Sequence, residues 1–254
     1  HRLRFRVPEN SSVIMGHTRM TTQGRANRNR NNHPFLGETN GERFALAHNG
    51  VLWNDRILRR SRHLPKTKIE TDSYVAVQLI EQKTALDLSS LKYMAEQVKG
   101  SFTFTVLDER ENLYFVKGDS PMCLYYYPGC GVYLYASTES ILNRALVQSD
   151  LHLGRPEQIV LDCGDILKIT YTGKREMGTF ETSSFLDPWD DCSLWPVQTE
   201  ERSGSCTVER EYLEELKSVA AYYGYAPESI DRLLDSGFST DEIEEFLYEG
   251  MMYR

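Results

Sequence analysis

The sequence predicts an α+β protein with a small helical tail, and three observations point there. Short strand-like runs recur at residues 101–107, 112–117, 122–127 and 131–136 with only turns between them, the last turn carrying Pro128, Gly129 and Gly131. That spacing is the signature of an antiparallel meander. Helical periodicity is gathered elsewhere, at Val75, Ala76, Leu79 and Ile80 and again at Leu91, Met94, Ala95 and Val98, so helices pack outside sheets rather than alternating with strands as in a βαβ fold. The third observation is a change of composition near residue 184. Asp and Glu outnumber Lys and Arg by 17 to 5 over residues 184–254, whereas residues 1–183 carry 20 against 24. We therefore divide the chain into a domain at 1–183, a linker at 184–207 rich in Pro, Ser and acidic residues, and a helical tail module at 208–254.

Composition bounds the function. A length of 254 residues with 40% hydrophobic content suits one domain of ordinary size plus an appendage, and no apolar run approaches the roughly 18 residues that would suggest a membrane span. A net charge of −8 argues against general nucleic-acid binding; the arginine clusters at 25–30 and 56–62 read as solvated basic faces. The five cysteines, Cys123, Cys130, Cys163, Cys192 and Cys206, show no CxxC spacing and signal neither a disulfide framework nor a zinc site. His17, His33 and His48 have no tight ligand spacing, so no metal and no cofactor is expected. A reducing, cytoplasmic setting fits best.

Taken in order, residues 2–7 alternate Arg2, Leu3, Arg4, Phe5, Arg6 and Val7, the period of a strand with one charged side. A short apolar run, Val13 to Met15, enters a polar loop from Gly16 to Gly24, and residues 25–42, rich in Asn, Arg and Gly and containing His33-Pro34, read as a loop. Phe44, Leu46 and His48 alternate with Ala45 and Ala47, so a largely buried strand ends at Asn49-Gly50. That dipeptide is by itself also a common hairpin turn. Thr71 or Asp72 caps the first helix, and Gly100 ends the second. A helix over 138–147 and strands at 157–162 and 165–171 complete the body. In the tail, Leu213, Leu216, Val219 and Ala220, then Ile230, Leu233 and Leu234, then Ile243, Phe246 and Leu247 line three short amphipathic helices, the third opened by a capping box from Ser239 to Glu242.

Three polar constellations stand out: Gly16-His17-Thr18-Arg19-Met20-Thr21-Thr22-Gln23-Gly24, His48-Asn49-Gly50 and Glu70-Thr71-Asp72. Arg19 carries five fixed donors suited to gripping a carboxylate in two places, and Asn49 with the Gly50 N–H offers two neighbouring donors of the kind a developing oxyanion needs. With His33-Pro34, Gly100-Ser101-Phe102 and Ala136-Ser137-Thr138-Glu139, this order resembles the glutaminase domain of class II glutamine amidotransferases, which are N-terminal-nucleophile hydrolases. The resemblance spans about residues 12–181.

The resemblance implies a four-layer αββα sandwich of two antiparallel sheets and a pocket for free L-glutamine. Arg19 would grip the α-carboxylate, Asp72 the α-ammonium, Thr22 would orient the same head, and Asn49 and Gly50 would form the oxyanion hole. In this family the nucleophile is an N-terminal cysteine. None of the five cysteines here occupies that position, so the expectation is a glutaminase in the full-length parent and an N-terminally truncated, inactive chain as printed. Met20 and Gln23 stand where close relatives carry a tryptophan and a histidine, so the loop after Arg19 is expected to close differently. A non-catalytic glutamine-binding sensor or adaptor is the alternative from another class, and hydrolysis of a different small amide is a third reading. The tail is expected to engage a separate acceptor enzyme or another partner protein.

Overall fold

The computed structural model describes residues 11–18, 28–149, 151–182 and 226–235, together with Leu213, Leu216, Lys217, Ala220 and Ile243. The chain divides into two compact units, His1–Asp191 and Cys192–Arg254. Among the described residues the first unit has nine strands: β1 (Phe35–Thr39), β2 (Glu42–Leu52), β3 (Gly100–Asp108), β4 (Leu113–Lys117), β5 (Cys123–Tyr127), β6 (Val132–Ala136), β7 (Glu157–Gln158), β8 (Asp165–Ile169) and β9 (Arg175–Thr179). Its helices are α1 (Asp55–Ser61), α2 (Tyr74–Glu81), α3 (Leu88–Gln97) and α4 (Glu139–Ser149), and a short 3₁₀ turn spans Asn29–Asn31.

The strands form two antiparallel sheets, six-stranded in the order β1-β2-β3-β4-β8-β9 and three-stranded in the order β6-β5-β7. Because side chains alternate along a strand, each sheet feeds two cores. Phe44 and Leu46 of β2, Phe102, Phe104 and Val106 of β3 and Tyr114 and Val116 of β4 pack with Val75, Leu79 and Ile80 of α2 and Leu91 and Met94 of α3. From the other face of the large sheet, Leu113, Phe115, Leu167 and Ile169 meet Leu124, Tyr133 and Tyr135 of the small one. Cys123, Tyr125 and Tyr127, on the remaining face of the small sheet, pack with Leu142 and Leu146 of α4. Arg175 of β9 stitches the two sheets: its Nε donates to Tyr133 Oη (2.9 Å) and its guanidinium lies 4.8 Å from the Tyr126 ring centre.

Several sequence expectations need correction. The stretch 25–42 is not loop throughout, since Phe35–Thr39 is an edge strand with Phe35 and Thr39 buried beside β2. The run from 101 to 136 is not one meander: β3 and β4 pair in the large sheet, β5 and β6 in the small one. Gly100 opens β3 instead of ending α3, whose last residue is Gln97, and the strand expected at 157–162 is reduced to Glu157–Gln158. Residues 2–7 lie outside the described residues, as do Val219, Phe246, Leu247 and the stretch 239–242.

The second unit contains α5 (Glu228–Asp235). Leu216, Ala220, Ile230 and Ile243 are buried together with Leu213 and Leu234 against them, and Lys217 Nζ pairs with Asp231 Oδ1 at 2.7 Å.

Helix α3 starts with a reciprocal capping box: Ser90 N–H donates to Asp87 Oδ1 (2.8 Å) and Asp87 N–H donates to Ser90 Oγ (2.9 Å). Asp87→Ala removes the acceptor and is expected to cost about 1 kcal/mol of unfolding free energy, read from the urea midpoint. No shift in the midpoint would contradict the cap.

Candidate functional site

The site is built on β2. Its alternation sends Phe44, Leu46 and His48 to the helix side and leaves Asn49 on the opposite face. Asn49-Gly50 is not a turn, because β2 continues to Leu52 and pairs with β3 through Asn49↔Thr103, Gly50↔Phe102 and Leu52↔Gly100. Gly50 has φ +130°, and a Cβ there would lie 2.0 Å from the Ser101 carbonyl oxygen. Only glycine permits both this backbone angle and this approach. The half-exposed Asn49 amide donates to Pro121 O at 3.3 Å.

Asp72 sits just before α2 and does not cap it. The N-cap residue is Ser73, and no side-chain cap bond forms. Instead the buried Asp72 carboxylate accepts the Leu52 backbone N–H on Oδ2 at 2.6 Å. Ser73 Oγ lies 2.8 Å from His48 Nδ1 and 3.3 Å from Asp72 Oδ1. His48 Nε2 donates to Ser101 O at 3.3 Å, its ring stacks on Phe104 with centres 4.7 Å apart, and His17 Nε2 donates to the His48 carbonyl at 2.9 Å.

The segment leading to Asp72 is held as well. Glu70 pairs with Arg28 and accepts from Asn31 Nδ2 (3.0 Å), while Glu70 N–H donates to Asn31 Oδ1 (3.0 Å). Asn31 is completely buried, so this part of the Asn- and Arg-rich stretch is an anchor rather than an inert connection. Arg59, from the basic stretch expected to be a solvated face, donates to Thr71 O at 3.0 Å and pairs with Asp55.

Of the residues singled out from sequence, the structure ties Asp72, through Leu52 N–H, and His17, through the His48 carbonyl, to the strand that carries Asn49 and Gly50. Arg19 and Thr22 lie outside the described residues. Sequence reasoning missed Ser73 and the bracing by Asn31. Ser73 is a small residue at a helix start and carries no local signal, but the Asn31–Glu70 tie had a hint in the density of amides from 26 to 32.

His48 is held neutral, because burial lowers its pKa more than the neighbouring Asp72 raises it. In the unfolded chain it titrates near its ordinary value of about 6.5. Below that pH the unfolded state binds a proton the folded state refuses, so stability falls as pH drops through this window. His48→Gln is expected to flatten that slope between about pH 6.5 and 5 in denaturation curves compared with wild type; an unchanged slope would contradict a buried neutral imidazole.

The His17 and His33 rings pack tilted at 42° with centres 4.3 Å apart, and the His33 ring centre lies 6.4 Å from that of His48. Among the described residues no group of three or more His, Cys, Asp or Glu side chains is placed to hold a metal ion. Burial raises the thiol pKa of both Cys123 and Cys163, the opposite of what activates a nucleophilic thiolate. No helix among the described residues is long and apolar enough to cross a membrane.

Comparison with known proteins identifies the family. A family model described as a glutamine amidotransferase domain matches residues 17–144, the stretch that holds Arg19, Asn49, Gly50 and Asp72. The glutamine–fructose-6-phosphate aminotransferase (isomerizing) of Bacillus thuringiensis subsp. konkukian is 36% identical over 129 residues, 48% of this chain and 21% of that protein. Its counterpart from Streptococcus pneumoniae serotype 4 is 33% identical over 120 residues, 43% of this chain and 19% of the relative. The chain thus spans about a fifth of the length of these relatives. Among solved structures, the glutamine phosphoribosylpyrophosphate amidotransferase from B. subtilis complexed with ADP and GMP aligns with a TM-score of 0.52 at 21% identity, covering 65% of this chain and 34% of that one, a likeness of fold. With the matched span enclosing the strand, the bent glycine and the buried carboxylate, this chain belongs to the glutamine amidotransferase domain family, of the class II, N-terminal-nucleophile type.

Proposed function

We propose that this domain binds free L-glutamine and that the protein hydrolyses its side-chain amide to L-glutamate and ammonia. The observation that supports the reading is the fixing of Asp72 to β2, the strand that carries Asn49 and Gly50, through Leu52 N–H, with Ser73 bonded to His48: in this reading the carboxylate takes the substrate ammonium and the two donors take its amide oxygen. Arg19 grips the α-carboxylate and Thr22 orients the amino-acid head, so the zwitterion is read by its two charges. When the amide carbon is attacked, the Asn49 amide and the Gly50 N–H stabilise the oxygen that takes the negative charge. The attacking group in this reading is the family's N-terminal cysteine thiol. None of the five cysteines matches it, and residues 1–254 are assigned the binding and oxyanion parts of the reaction. In the same reading the three cores are the seams of a four-layer αββα sandwich, and the acidic C-terminal unit is a three-helix module that engages an acceptor enzyme.

Arg19→Lys keeps the charge but loses the two-pronged grip, so it is expected to weaken glutamine binding by about 1.5 to 3 kcal/mol, roughly ten- to a hundredfold in Kd by calorimetry. An unchanged Kd would remove Arg19 from the pocket. The function itself is tested by glutamate release from a protein that joins this sequence to the family's cysteine. Turnover of L-glutamine is expected. Glutamine bound without hydrolysis would favour a sensor, and release from other small amides with glutamine untouched would change the substrate.

A further inference from the structure

We propose that His48 and Ser73 are positioning residues that fix Asp72 against β2, and so set the separation between the group that takes the substrate's ammonium and the donors that take its amide oxygen. The proposal rests on the glutamine reading. Two ties hold the Asp72-Ser73 pair to the strand: Leu52 N–H donates to Asp72 Oδ2 at 2.6 Å, and Ser73 Oγ meets His48 Nδ1 at 2.8 Å. Residues 48 and 52 flank Asn49 and Gly50 in sequence, so the ties grip β2 on both sides of the oxyanion donors. A single tie would leave the carboxylate free to swing about it. Two ties on one strand leave one arrangement.

His48 suits this task by its chemistry. A neutral imidazole donates at one nitrogen and accepts at the other. The Ser101 carbonyl only accepts, so Nε2 carries the hydrogen, which leaves Nδ1 to accept the Ser73 hydroxyl. The Phe104 stack fixes the ring plane. Meanwhile the His48 carbonyl receives His17 Nε2–H, two residues ahead of Arg19. One residue thereby joins β3, the start of α2 and His17 to the strand that carries Asn49 and Gly50. A histidine placed only to fill the core needs a partner for each nitrogen, but has no need for that partner to be the neighbour of Asp72.

The test must separate aim from general stability, and a ligand lacking the ammonium does so. Glutaramate is glutamine without its α-amino group. Dissociation constants for L-glutamine and glutaramate are measured by NMR chemical-shift titration of the full 254-residue chain, for wild type, Ser73→Ala, Ser73→Thr, His48→Phe and Asp72→Asn, each with its thermal melt. Ser73→Ala is expected to weaken glutamine about tenfold and glutaramate less than about twofold, the pattern of Asp72→Asn, while Ser73→Thr restores glutamine binding by returning the hydroxyl. His48→Phe, which keeps an aromatic ring against Phe104, is expected to follow Ser73→Ala. Equal weakening of both ligands by Ser73→Ala, or weakening of neither, overturns the proposal and leaves the His48–Ser73 bond a core contact. A folded wild type that binds neither ligand overturns the glutamine reading itself.

Discussion

Gly50→Ala is expected to lower the unfolding free energy by about 2 to 6 kcal/mol, combining backbone strain with forced overpacking. The added Cβ would lie 2.0 Å from Ser101 O, 2.6 Å from Ser101 C and 2.9 Å from Phe102 Cα, all backbone atoms of the adjacent strand. No rotamer change relieves a clash with backbone, so β2 and β3 must part at Gly50↔Phe102, next to the ties to Asp72. Gly41 provides the control. It also has a positive φ, +84°, but its added Cβ meets nothing within 4 Å, so Gly41→Ala is expected to cost only the conformational term, about 1 to 2 kcal/mol. Urea midpoints of the two variants check the contrast. Equal, small shifts would show that the two strands do not approach so closely.

Asn49→Ala is expected to leave the fold intact and reduce turnover by about a hundred- to a thousandfold in a protein that carries the family's cysteine. In the structure its amide makes one long bond to Pro121 O, 3.3 Å, weak enough to be exchanged for a better acceptor. The oxygen of glutamine's amide becomes that acceptor when it takes up charge, so the donor acts mainly in the transition state. KM should therefore stay nearly constant while kcat falls. A rise confined to KM would assign Asn49 to ground-state binding.

The parts legible in the sequence were those with local chemistry or strong period. The alternation from Phe44 to His48 and the helical stripes of α2 and α3 reflect burial against one core, and burial is what patterns report. β1 was hidden because Phe35–Thr39 is a short edge strand interrupted by Gly37, where a side chain would strike Phe44 and Val77. β9 was hidden because none of its residues is buried, and α1 because only Leu58 is. The division of strands between two sheets depends on how the chain crosses over at Gly118–Pro121, which period alone does not encode.

At the candidate site, Asn49, Gly50 and Asp72 stood out by residue type and order. The contacts that tie Asp72 to their strand did not. Asp72 looked like a cap because Asp at a helix start usually is one. Its bond to Leu52 N–H crosses 20 positions of sequence, and the Ser73–His48 bond crosses 25. Such contacts exist only once β2 and α2 have packed.

The central claim is that the corner formed by Asn49, Gly50 and Asp72 is a glutamine site. Calorimetric titration of the 254-residue chain with L-glutamine, wild type against Asp72→Asn, tests it most directly. Saturable one-site binding is predicted for wild type, with Asp72→Asn weakening it by about 1.5 to 3 kcal/mol, roughly ten- to a hundredfold, because the isosteric amide keeps the shape and removes the charge that holds the ammonium. A folded wild type that takes up no L-glutamine, or an Asp72→Asn variant that binds it equally well, would contradict the claim.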